Sequence, residues 1–540
     1  MNEKARISYR EIIGYLLIGL SVIMLVKGIA LCFSSDIWYD ELFTVGMIEH
    51  SYGDLIAFTA RDVHPPLYYC IVKFVVDLCK LITPTADTVI IAKNVSVLPY
   101  FILLLYSVTF IRKRFSIFAG GLFLFCVISM PQLSAYTVEV RMYSWALLFV
   151  TAAFLHAYAI VTGAGNRMKL HSAALVLYGL AAAYTQYFAC VAVVVVYLYV
   201  LVACLIFDRQ KMRLWLVCVA ISVVGYVPWL YTLYTQITAV GENYWILPLS
   251  WRTIGGCVKF LMKPAFANNV LSIILAVVLF GVYVLIFMQN AAKLCHNRRE
   301  KWNDFVFTAA GIGVLAGLVL FGFAASMLFR PIFVYRYMIP ALGCFWLSFA
   351  VGLGMIAEHT WQEAGRPSAV FLSVKRKVIS GTIHADKIYR GIVIAVTALV
   401  LLIGLRDYRA FMGEEEYKIL LMRDTGAAFQ EPDREDILIF NFDQVQMVAG
   451  YYLDNDSYLW YGQPEELIQE ICGHKGTLNE NTGQIKEWLA QGRNVWFMGS
   501  FNSREDIVEE WRSAGITVDE TGSYLLERYW FNIYELRIEE

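Results

Sequence analysis

Asp62-Val63-His64-Pro65-Pro66-Leu67-Tyr68-Tyr69 leads into an apolar run, 67–82, that either crosses a membrane or stays on one side of it. The answer sets the side of every later loop. The run has only 16 residues and holds Lys73, Asp77 and Lys80, whereas a span needs about 20 apolar residues. Positive charge arbitrates, because cytoplasmic loops carry the excess of Lys and Arg. If 67–82 does not cross, segments 1–10, 112–114, 163–170, 208–213, 290–301 and 358–390 face the cytoplasm with 21 Lys and Arg, and the opposite loops 34–88, 132–142, 235–268 and 329–336 hold nine. If it crossed, Arg112-Lys113-Arg114 and each later basic loop would lie outside. The run is therefore expected to be a helix in the outer interface, started by Pro65-Pro66.

The rest of the chain reads as a membrane protein. It has 540 residues, 59% hydrophobic and 16% charged, against about 25% charged in soluble proteins. Eleven spans are expected, at 11–33, 89–111, 116–131, 143–162, 171–185, 188–207, 214–234, 269–289, 303–328, 337–357 and 391–405. The first lacks a small-residue cleavage site and is expected to be retained. A net charge of −1 gives no basic field for nucleic acid. The 11 Cys form no CxxC pair and sit mostly in apolar runs, as small core residues do.

From Arg406 to Glu540 the character changes: 27 Asp and Glu stand against 12 Lys and Arg, a net −15. The segments 436–440 and 494–499 are expected to be buried strands, and 464–472, 484–491 and 504–514 helices. The expected fold class is an α-helical polytopic membrane protein of about 11 transmembrane helices with a C-terminal soluble α/β domain. The expected division is a transmembrane domain, 1–405, whose first outer loop, 34–88, carries interfacial helices, and an extracytoplasmic domain, 406–540. The N-terminus would lie inside.

This topology puts the unusual polar residues on one rim. Asp40 and Glu41 follow the first span, Asp62 and His64 precede the interfacial helix, and Glu139, Arg141 and Tyr143 lie between the third and fourth spans. Arg336 and Tyr337 precede the tenth. Charges beside hydrocarbon are costly and cluster where ions or polar substrates are handled. A carboxylate can take the proton of an attacking hydroxyl. Arginine offers a planar fork of donors to a departing phosphate.

These pieces resemble the multispan GT-C glycosyltransferases of family 39, which include protein O-mannosyltransferases and lipid A aminoarabinose transferases. The matching residues are Asp40-Glu41, Asp62-Val63-His64-Pro65-Pro66-Leu67, Glu139-x-Arg141-Met142-Tyr143, Tyr187-Phe188 and Arg336-Tyr337, in order through about the first 340 positions. The resemblance implies transfer of a sugar from a polyprenyl-phosphate donor to a glycan, lipid or protein acceptor outside the cytoplasmic membrane. It implies Asp40 as base, Glu41 as its helper in placing substrate, and Arg141 and Arg336 as phosphate ligands. Asp62, His64, Glu139, Tyr143 and Tyr337 would line the substrate site. Where many relatives show Tyr-Thr-His-Tyr-Phe, this chain has Gln186. Asp62 and His64 alone are too few ligands to argue for a divalent metal, which is left open and not favoured. The competing readings are a lipid-linked glycan flippase, which should show repeats and mid-membrane charges, and a non-catalytic membrane binding protein.

Overall fold

The structure is a computed structural model. It describes residues 8–239, 246, 248–294, 300–358, 385–419, 435–453, 455–462, 466–473, 476–501, 503–526 and 529–538. The chain is a multi-pass membrane protein. Among the described residues nine helices are long and apolar enough to cross a membrane. The other two expected spans are shorter helices, Ile117–Ser129 and Met168–Ala183.

The chain runs as α1 (Tyr9–Cys32), three helices on one rim, α2 (Tyr39–Glu49), α3 (Tyr52–Arg61) and α4 (Leu67–Ile82), and then α5 (Thr88–Arg114). Next come α6 (Ile117–Ser129), α7 (Tyr143–Thr162), α8 (Met168–Ala183), α9 (Tyr187–Phe207) and α10 (Met212–Ala239). A rim helix, α11 (Trp251–Met262), precedes α12 (Asn269–Leu294), α13 (Glu300–Leu328), α14 (Ile339–Glu358) and α15 (Ala385–Ile419).

α4 behaves as its composition demands. Tyr68, Tyr69, Val72 and Val76 are buried against the bundle, while Phe74, Leu78, Leu81 and Ile82 are exposed on the other face. As at any helix start, the first amide of α4 has no partner inside the helix, and the Leu67 N–H donates across to the carbonyl of Tyr184 at 3.0 Å. α5 then starts on the same rim, capped by the Asp87 carboxylate on the Ile90 N–H.

α6, α7 and α14 form the buried middle of the bundle, whereas α10 and α12 turn most of their side chains outward, Leu216, Val224, Val277 and Leu285 among them, as helices facing lipid do. α6 is buried along its whole length. At 1.5 Å per residue it is about 20 Å long, and the turns of 130–138 carry the chain the rest of the way to the rim. It lies close against α1 because Gly14 and Gly121 face each other: a Cβ on Gly121 would stand 2.3 Å from the Gly14 carbonyl oxygen. Small residues at such crossings allow tight packing where lipid removes the hydrophobic driving force between helices.

α15 continues unbroken past residue 405 to Ile419. Beyond it stands a six-stranded sheet in the order β3 (Gly476–Thr477), β2 (Asp456–Leu459), β1 (Ile437–Phe440), β4 (Val495–Ser500), β6 (Tyr529–Ile538) and β5 (Ile516–Leu526). The first four pair in parallel, with Ile437 opposite both Asp456 and Val495. β6 is antiparallel to β4 and β5, and a bulge falls at Glu520/Gly522. α18 (Thr482–Ala490) and α19 (Ser503–Ser513) supply Ile485, Trp488, Ile507, Val508 and Trp511 to the core on one face, around Ile439 and Phe497. The other face, with Leu438, Phe440, Trp496 and Met498, continues into the core of the membrane bundle. α16 (Asp443–Tyr452) and α17 (Glu466–Cys472) make that join by packing on α2. Gly46 of α2 is the point of closest approach: a Cβ there would meet Cys472 Sγ and Ile471 Cγ2 at 2.9 Å. Arg61 forms a two-pronged pair with Glu470 at 2.7 and 2.9 Å, and the His50 ring bonds the Ile471 carbonyl at 2.9 Å.

Candidate active site

The first turn of α2 separates two neighbouring carboxylates. Successive helix residues point about 100° apart, and here the two directions are unlike. Glu41 goes inward and is 1% exposed. Its Oε1 accepts from Lys93 Nζ at 3.3 Å and from the Val140 N–H at 2.8 Å, and its Oε2 accepts from the Trp38 N–H at 3.0 Å. Asp40 points into a hollow on the rim, where Arg336 Nη1 donates to its Oδ2 at 2.7 Å, both side chains being 21% exposed. Glu41 is thus an internal clasp tying α2 to α5 and to the 138–142 turn, and Asp40 is the carboxylate that reaches the hollow.

Arg141 enters from the turn before α7. Its backbone N–H donates to the Glu139 carbonyl at 2.7 Å, and its Nη1 donates to the backbone carbonyl of Asp40 at 3.0 Å. Its Nε is buried and makes no hydrogen bond among the described residues. Burial disfavours the Arg141 charge, but the groups around it, Tyr69, Asp40, Tyr143 and Asp62, hold its pKa above the ordinary value. Two guanidinium groups therefore flank one carboxylate, each permanently charged and able to fork onto an anion.

His64 is buried beside them. Burial first, and then the charges of Arg141 and Arg336, keep its pKa well below the ordinary 6.5. It is a neutral imidazole at physiological pH, so the positive charge of the hollow comes from arginine. Asp62 follows the last residue of α3, and its charge reaches Arg141 and Tyr69. The hydroxyls of Tyr69 and Tyr143 are buried and make no hydrogen bond among the described residues. Tyr143 packs edge-on against Tyr136 at 5.0 Å. Glu139 is partly exposed and close enough to act on the phenols of Tyr100 and Tyr136. The ring of Tyr337 lies on Phe188, 4.8 Å between centroids, and its phenol is close enough to act on Arg336.

The structure thus brings Asp40, Asp62, His64, Arg141, Tyr143 and Arg336 together. Glu41 lies behind the hollow and Tyr337 beside it. Sequence reasoning passed over Lys93, Tyr69 and Gln236. Lys93 carried a signal, a lone charge in an apolar run. Gln236, whose amide bonds the backbone of Asp62, carried none. Among the described residues no group of three His, Cys, Asp or Glu stands close enough to hold a metal ion.

An apolar groove of about 350 Å³ begins two residues after His64, between Pro66, Leu67 and Cys70 on one wall and Leu177, Leu180, Ala181 and Tyr184 on the other. None of the charged side chains lines it.

No protein-family model matches the sequence, and no curated protein matches it. Solved structures do. ArnT from Cupriavidus metallidurans bound to undecaprenyl phosphate aligns with a TM-score of 0.52 at 13% identity, over 96% of this chain and 97% of that one. The same protein in its apo state gives 0.51 at 11%, over 96% and 98%. An oligosaccharyltransferase from Archaeoglobus fulgidus, tethered with an acceptor peptide, aligns with a TM-score of 0.44 at 10% identity, over 95% of this chain and 74% of that one. At such identities the likeness to ArnT is one of fold. The chain has the GT-C glycosyltransferase fold, with its membrane bundle and its C-terminal domain both inside the match.

Proposed function

We propose that the protein is a glycosyltransferase that moves a sugar from a polyprenyl-phosphate-linked donor to a hydroxyl of a cell-wall polymer, lipid or protein outside the cytoplasmic membrane. The observation that carries this reading is the meeting of Asp40 with Arg336 at 2.7 Å and of Arg141 with the backbone of the same residue. That hollow holds a base, two anion ligands and, close to Arg141, the second carboxylate of Asp62. The donor phosphate competes with Asp40 for Arg336. As it takes the guanidinium, it leaves the Asp40 carboxylate available to the acceptor. The acceptor oxygen attacks the anomeric carbon as its proton passes to Asp40. The bond from that carbon to the phosphate oxygen breaks, and the polyprenyl phosphate leaves with the electron pair, its charge held by Arg141 and Arg336. One displacement of this kind inverts the anomeric centre.

The groove at Pro66 suits an isoprenoid chain, being apolar and starting two residues after His64 in sequence. That the ArnT of the same fold binds undecaprenyl phosphate supports such a carrier. The excess of Lys and Arg in the loops opposite the hollow supports an extracytoplasmic site. Glu41 acts here by fixing the start of α2.

The test is reconstitution into liposomes with polyprenyl-phosphate sugars labelled in the sugar, together with an envelope fraction as acceptor. A transferase moves label out of the lipid fraction into the acceptor. Label that crosses the bilayer but stays on the lipid would identify a flippase and overturn the reading.

A further inference from the structure

The turn carrying Asp62 and His64 is held by another part of the chain. α3 ends at Arg61, and the last carbonyls of a helix have no partner within it. Here they meet the side chain of Gln236, near the end of α10. Its Nε2 lies 2.8 Å from the Thr59 oxygen, 3.3 Å from that of Ala60 and 2.5 Å from that of Asp62. The two amide hydrogens are thus shared among three carbonyls. The far side of the amide is fixed as well. The Tyr187 hydroxyl donates to Gln236 Oε1, and Trp229 Nε1 donates to that hydroxyl at 3.0 Å. An amide so held cannot turn over, because its oxygen would then face three carbonyl oxygens. Trp229 and Gln236 stand two turns apart on α10, and Tyr187 opens α9, so two spans brace one turn. Gln236 itself is buried. The charged groups around it are Asp62, Arg61, paired with Glu470, and Arg330, which donates to the carbonyl of Ile237.

We infer that Gln236 is a positioning residue for the transfer step: backed by Tyr187 and Trp229, it sets the Asp62–His64 turn against Arg141 and Arg336. The inference rests on the transferase reading above. Gln236 meets the turn through backbone carbonyls alone, so it acts through the turn and contributes no reacting group. A shift of about 1 Å in a group that aligns substrate costs on the order of a hundredfold in rate.

The test compares wild type with Gln236→Leu and Gln236→Glu, using undecaprenyl-phosphate-linked labelled sugar in liposomes and hydrogen exchange over residues 59–67. Gln236→Leu strands buried carbonyls and is expected to lower the thermal midpoint somewhat, while protection falls locally over 59–67, including the Asp62 N–H that donates to the Phe58 carbonyl at 2.9 Å. Its kcat should fall at least about tenfold with a smaller change in KM. Gln236→Glu separates positioning from bulk stability. A neutral carboxylic acid can donate one bond to the turn, and a carboxylate donates none. The activity of this variant relative to wild type should therefore rise as pH falls. A Gln236→Leu protein with wild-type kcat overturns the inference, as does a loss of activity that follows the thermal midpoint in both variants. A wild type that labels no acceptor overturns the transferase reading. The exchange measurement then still judges the brace: unchanged protection over 59–67 in Gln236→Leu refutes it, and lost protection supports it.

Discussion

Arg336 donates to Asp40 across 2.7 Å, joining the turn before α14 to the first turn of α2 over 296 positions of sequence. The pair is about one-fifth exposed, and Arg141 stands on the Asp40 backbone beside it. A guanidinium shared between a carboxylate and an incoming phosphate links occupancy of the donor site to release of the base.

Arg336 should therefore matter to binding first. Hydrogen bonds to charged groups are worth about 1.5–3 kcal/mol, so Arg336→Gln should weaken undecaprenyl phosphate binding by roughly tenfold or more. Arg336→Lys keeps the charge but loses the fork, and should recover only part of the affinity. Titration of the detergent-solubilised protein with undecaprenyl phosphate measures both. Equal affinity in all three proteins would remove Arg336 from the phosphate site.

The Glu41–Lys93 pair should matter to folding. Both side chains are 1% exposed, and breaking a buried pair by removing one partner costs about 3–5 kcal/mol because the other charge is stranded. Lys93→Met should lower the unfolding free energy by that amount, and adding Glu41→Gln should restore much of it. Denaturant unfolding of the two variants gives the comparison. A single variant as stable as wild type would mean that the clasp contributes nothing.

His64 gives stability a pH dependence of definite sign. Its folded pKa lies well below the ordinary 6.5, through burial and then Arg141 and Arg336. Below 6.5 the unfolded chain takes up a proton that the native site refuses. The contribution is whole above that pH and is lost as pH falls toward the depressed folded value. His64→Gln should thus flatten the fall in thermal midpoint between about pH 7 and pH 5. Parallel curves for variant and wild type would count against a neutral buried imidazole.

Much of this site was legible in sequence because charge beside hydrocarbon is expensive and so rarely accidental. Asp40, Asp62, Arg141 and Arg336 stood out for that reason, and the count of basic residues placed them on one rim. The amphipathic helix at 67–82 followed from its length and its Lys73, Asp77 and Lys80. What could not be read was the difference between Asp40 and Glu41. It arises from one step of helix rotation and from a partner, Lys93, contributed by another helix. Gln236 was hidden because an amide near a span end looks like an ordinary rim residue until its three carbonyls are seen. In the C-terminal domain the strands at Ile437–Phe440 and Val495–Ser500 were plain from their apolar runs, as were the helices Glu466–Cys472, Thr482–Ala490 and Ser503–Ser513. The long β5–β6 pair was not, because polar residues such as Asp519, Glu520 and Asn532 interrupt its pattern. The seat of the domain on Gly46 of α2 is a tertiary contact with no local signature.

The most direct test is the rate of sugar transfer by Asp40→Asn at saturating polyprenyl-phosphate donor, measured with donor binding on the same sample. The amide cannot accept the acceptor proton as a base, yet it frees Arg336 for phosphate. The expected result is loss of transfer by about a hundredfold or more, with donor affinity equal to wild type or tighter. A folded Asp40→Asn protein that transfers sugar at the wild-type rate would contradict the account.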